Sequence, residues 1–67
     1  MPHDLDPLID EVMDHFQVRG TVPNSILSVF HDAALHAQLL IGTGKSREEA
    51  VVEAVRLYQS EVYAQHA

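Results

Sequence analysis

A chain of 67 residues with no cysteine, 46% hydrophobic residues and a formal net charge of −6 makes one small domain at most. Disulfides and thiolate metal sites are excluded, and no apolar run approaches the roughly 18 residues that a membrane helix needs. A domain this small buries only ~60% of its unfolded surface, so a partner subunit is the expected aid to its stability. No basic start leads into an apolar core and a small-residue cleavage site, so the expectation is a cytoplasmic protein with no secretory signal.

The charge is unevenly spread. Residues 1–16 carry Asp4, Asp6, Asp10, Glu11 and Asp14 and sum to −5. Residues 17–47 carry Arg19, Asp32, Lys45 and Arg47 and sum to +2, while Glu48, Glu49, Glu53, Arg56 and Glu61 bring residues 48–67 to −3. The negative total argues against nucleic acid, but three of the four basic residues gather in two short places.

Residues 1–14 form either an acidic arm or a short helix. Asp6 followed by Pro7 suits an N-cap and first helical position. Leu5, Leu8, Ile9, Val12, Met13 and Phe16 then recur at helical spacing, with the acids on the outer face. Helices this short are marginal without packing, which keeps the arm open as the other reading.

From His15 to Pro23 the pattern changes to period two. Phe16, Val18 and Val22 fall on one side, Gln17, Arg19 and Thr21 on the other, and Gly20 leaves a gap in the apolar row. That alternation predicts a half-buried β-strand. Its backbone groups need a partner, and no second strand-like stretch exists in the chain, so pairing with the same strand of a second copy is expected. In the competing reading the first helix runs on to Arg19, stops at Gly20 as a C-cap, and the chain is a three-helix bundle.

Pro23 ends the strand, and Asn24 or Ser25 can cap a helix running to about Ile41. Ile26, Leu27, Phe30, Ala33, Ala34, Ala37, Leu40 and Ile41 form its stripe, which Val29, Leu35 and Leu39 widen. A helix apolar on so much of its circumference calls for cover on several sides, with a second subunit the natural source. Gly42-Thr43-Gly44 is the turn, and Ser46-Arg47-Glu48-Glu49 reads as a capping box opening a last helix. Val51, Ala54, Val55, Tyr58 and Val62 line one face of that helix, and Ala50 and Leu57 lie beside them.

Strand, proline, helix, glycine turn and capped helix is the order of the ribbon-helix-helix superfamily, which includes the Arc and methionine repressors and ParD-type antitoxins. KSREEAVVEAVRLYQSE, Lys45 to Glu61, resembles the second helix of ParD-like members, and TVPNSILSVF resembles their strand exit into the first helix. The resemblance covers about residues 16–62. The departures are a first helix about one turn longer, residues 1–14 ahead of the strand, and Gly20 within it.

The resemblance implies a mainly α chain with one short β-strand, in which residues 15–67 form a ribbon-helix-helix domain. It implies an intertwined homodimer with an intermolecular two-stranded antiparallel ribbon, acting as a sequence-specific transcriptional repressor of bacterial type on double-stranded DNA. The ribbon would enter the major groove, where Gln17, Arg19 and Thr21 would contact bases. Lys45, Ser46 and Arg47, at the start of the last helix, would hold a phosphate. No cofactor and no catalysis are expected. The alternative is an acidic helical module, antitoxin-like or an inhibitor, that docks on a basic protein partner through its N-terminal acids.

Four other patterns carry less. GTGKS, Gly42 to Ser46, matches the tail of a nucleotide-binding loop but has Leu39 where the earlier glycine belongs and no strand before it. His31 and His36 are too far apart around a helix to pair on a metal, and the spacing of Asp32 and His36 suits a surface hydrogen bond. Asp10, Glu11 and Asp14 read as a solvated face rather than acid–base machinery, Tyr58 as core and Tyr63 as surface.

Overall fold

The computed structural model describes residues 5–18 and 22–66. They form three helices: α1, Asp6–His15; α2, Asn24–Gly42; and α3, Arg47–His66. The expected strand, and with it the intermolecular ribbon of a ribbon-helix-helix fold, is corrected: the described residues contain no strand. Residues 16–18 instead close α1 in a turn, while Arg19, Gly20 and Thr21 lie outside the described residues. The three-helix reading wins, although α1 ends earlier than Gly20.

The reason lies in the hydrogen bonds at that end. Val18 N–H donates to the Met13 carbonyl at 3.0 Å and Gln17 N–H to the Asp14 carbonyl at 2.9 Å. Gln17 itself takes the left-handed conformation, φ 57°. This is a Schellman cap, with Gln17 where glycine is usual, and the two bonds satisfy carbonyls that a helix end leaves orphaned. Such caps bring an apolar residue just past the helix against one in its last turn. Val18 and Met13 hold those positions, and both pack on the core. A backbone whose polar groups are satisfied locally has no need of a second strand.

The same device ends α2. Lys45 N–H donates to the Leu40 carbonyl at 3.2 Å and Gly44 N–H to the Ile41 carbonyl at 3.0 Å, and Gly44 has φ 111°. The Thr43 hydroxyl adds a bond to the Leu40 carbonyl at 2.7 Å. GTGKS is therefore a helix–turn–helix junction. α1 starts at Asp6, with Leu5 rather than Asp6 at its N-cap, so Asp6 and Pro7 both lie in the first turn.

α2 and α3 pack most extensively on each other, and α1 packs on both. Ala33, Ala34, Ala37, Ala50 and Ala54 have no exposed surface, which lets the two long helices approach closely. Phe30 is the largest fully buried side chain, and Leu8 and Val12 of α1 and Val51 and Val62 of α3 complete the core around it. Phe16, just past α1, lies 5.7 Å from Phe30 and 6.1 Å, edge-on, from Tyr63. Leu35 and Leu39 share the outward face of α2 with Ser28 and Asp32, and Leu39 is 70% exposed. No helix among the described residues is long and apolar enough to cross a membrane.

Phe30→Ala is expected to cost ~3–5 kcal/mol, much of the ~3–10 kcal/mol that a chain of this size has in total. Circular dichroism at 25 °C will show a large loss of helix in that variant. The two caps predict opposite signs at equivalent places. Gly44→Ala should lower stability by ~1–2 kcal/mol, since an L side chain meets a left-handed backbone, whereas Gln17→Gly should raise it by up to ~1 kcal/mol. Urea midpoints of the two variants check both.

Candidate functional site

Of the residues expected to meet DNA, Gln17, Lys45, Ser46 and Arg47 are among the described residues. Gln17 is exposed, but as the left-handed cap of α1 and not as one position of an outward strand row. Arg19 and Thr21 lie outside the described residues. Lys45, Ser46 and Arg47 do sit together at the start of α3, as the sequence suggested, and each already has a partner.

Ser46 is the cap of α3. Its hydroxyl accepts from Glu49 N–H at 3.2 Å and its carbonyl from Ala50 N–H at 2.9 Å, so one side of the expected capping box is made. The Lys45 ammonium lies 3.6 Å from a Glu53 carboxylate oxygen. Arg47 donates from Nε to Glu11 Oε1 at 2.6 Å, joining the start of α3 to the middle of α1 across 36 residues of sequence. Around them, an open depression is lined by Glu48, Glu49, Val52, Glu53, Arg56 and Leu57 as well as Lys45 and Ser46. Three carboxylates face two cations there. A bound phosphate would meet that field and would also compete with Ser46 for a helix-start N–H.

The other notable surface is the outer side of α1, which the N-terminal charge count foreshadowed. Asp6, Asp10 and Asp14 are exposed and recur every four residues, which stacks them along the face opposite Val12. The ion pairs among the described residues, Lys45–Glu53 and Arg47–Glu11, use none of the three. Ile9 and Met13 flank the row and are half-buried. Eight helical rises separate Asp6 from Asp14, which makes this acidic ridge about 12 Å long.

Among the described residues no group of histidine and acidic side chains is placed to hold a metal. His36 meets Tyr58 edge-on at 6.1 Å, in place of the hydrogen bond expected with Asp32. Tyr58 packs on the core as expected, and Tyr63 is 57% exposed. Comparison of the chain with family models, curated proteins and solved structures gave no match.

The Arg47–Glu11 pair spans two half-exposed side chains, 50% and 41%. Solvent screening limits such pairs, so a double-mutant cycle of Arg47→Ala and Glu11→Ala should give a coupling of ~0.2–1 kcal/mol that falls as salt is added. A coupling that held its size in high salt would mean a pair far less solvated than its exposure indicates.

Proposed function

We propose that this protein is a helical protein-binding module whose α1 presents an acidic, apolar-shouldered ridge to a basic segment of another protein. The observation that carries this is the row Asp6, Asp10 and Asp14, exposed and outside both ion pairs, beside half-buried Ile9 and Met13. The complementary surface is a helix or loop with Lys or Arg at three- to four-residue spacing and an apolar residue alongside. Charge complementarity of this kind steers encounter and sets the partner more than it sets raw affinity.

The cations argue the same way. Lys45 and Arg47 face carboxylates of their own chain, and Arg56 stands among Glu48, Glu49 and Glu53. The base-reading ribbon on which the DNA expectation depended is replaced by a helix cap.

Fluorescence anisotropy at low salt distinguishes the two chemistries. A labelled amphipathic peptide with lysines on one face is expected to bind, and a short DNA duplex is not. Replacing Asp6, Asp10 and Asp14 together by Asn should weaken peptide binding on the order of tenfold, given a few tenths to 1 kcal/mol for each exposed pair. Circular dichroism should show α1 retained in that variant. Duplex binding that is lost with Lys45→Ala and Arg47→Ala, in a chain that ignores the peptide, would overturn the proposal.

A further inference from the structure

We propose that the side of the α2–α3 hairpin turned away from α1 is a docking surface for a short amphipathic helix of another protein. The helix it takes carries an apolar stripe between Lys or Arg residues. Three of the five exposed large apolar side chains among the described residues lie on that side: Leu39, 70% exposed, Leu57, 57%, and Leu35, 39%. Single exposed apolar residues need no explanation, but a contiguous set marks a site of interaction. The proposal stands apart from the acidic ridge of α1, which lies across the hairpin, and holds whether or not that ridge binds a partner.

Contacts and helix period place these leucines together. On α2, His36 meets Tyr58 of α3, while Phe30 meets Phe16 beside α1, so His36 and Phe30 flank the seam on opposite sides. At about 100° per residue, Leu39 and Asp32 lie on past His36, further from Phe30, and Leu35 lies next to Leu39. On α3, Val62 and Tyr63 turn from Ala54 toward α1, with Tyr63 on Phe16, and Leu57 lies roughly 60° round the other way. The two helices run antiparallel, so with Tyr58 opposite His36, Leu57 comes within a turn of Leu39 along the hairpin. Leu57 also helps to line the open depression that holds Val52, which carries the apolar surface on across α3.

The border of this surface is acidic. Asp32 and Glu61 are exposed and belong to neither ion pair among the described residues. Glu53, one turn from Leu57, shares the single cation Lys45, and Arg56 stands among Glu48, Glu49 and Glu53. Carboxylates therefore outnumber cations around the leucines, and the complementary occupant is a basic helix with apolar anchors at i, i+4 and i+7. A second copy does not fit. It would bring the same acidic border on a chain of net charge −6. Three partly covered leucines also offer only on the order of a few hundred Å², well below the ~800 Å² per partner of a stable dimer.

Methyl NMR of the full chain, titrated at low salt with a synthetic helical peptide of leucines at i, i+4 and i+7 flanked by lysines, reads this surface directly. The Leu39 and Leu57 methyl signals are expected to shift to saturation, with the same midpoint after Asp6, Asp10 and Asp14 are replaced by Asn. Leu39→Gln combined with Leu57→Gln should raise the dissociation constant read at the Leu35 methyls at least tenfold. Both side chains are exposed, so circular dichroism should show the helices of that variant unchanged. A peptide with glutamates in place of the lysines should bind at least tenfold more weakly. Stationary Leu39 and Leu57 methyls overturn the proposal, and shifts confined to Ile9 and Met13 do so while leaving the α1 reading intact. Equal affinity for the lysine and glutamate peptides also overturns it. So do methyl shifts that follow the chain's own concentration without peptide, which would assign the surface to a second copy. Shifts caused by phosphatidylcholine vesicles and not by the peptide would assign it to lipid instead.

Discussion

The reversal at Gln17 lays α1 on the hairpin and so closes the core. Two antiparallel helices can seal a single seam, and here the alanines of α2 and α3 do so. A seam of alanines buries little area for each residue, and the hydrophobic term follows area removed from water. The larger apolar side chains, Phe30, Val51 and Val62, become enclosed because Leu8, Val12 and Phe16 arrive to cover them. For that, the chain must stop its first helix at His15 and turn at Gln17. A left-handed residue with its two backward hydrogen bonds does this, at a modest conformational cost that glycine would have avoided.

This is also where reading the residues alone went astray. α2, its glycine turn and the serine start of α3 were legible, because a long apolar stripe, Gly44 and Ser46 each point one way. α1 was legible as one of two readings. The stretch after it was not, since three apolar residues, Phe16, Val18 and Val22, satisfy an alternation while the first two also serve a helix end. Val18 follows Met13 by five residues, the spacing of the apolar pair that accompanies a Schellman cap. Gly20 offered itself as the helix stop, and its presence hid the fact that Gln17 could take the same conformation. Once a lone strand was supposed, a partner strand became necessary, and the intermolecular ribbon followed from one local error.

The cluster at Lys45, Ser46 and Arg47 was placed correctly along the chain and on the right helix start. Its chemistry was not visible. The anion that Arg47 holds is Glu11, brought near only after α1 has packed, and Lys45, just ahead of α3, finds Glu53 within that helix. In an acidic chain with four basic residues, cations are scarce enough that internal pairing is a strong competitor for each. Concentrating them in two places carries no information about an external ligand until those internal partners are known.

The two faces of α1 have separate consequences. Its inner face completes the core, and its outer face is a row of like charges whose i, i+4 repulsion weakens the helix by a few tenths of a kcal/mol per pair. A basic partner on the outer face relieves that repulsion. Whatever binds only the folded chain also stabilises it, so docking on the ridge and the packing of α1 against the hairpin reinforce each other.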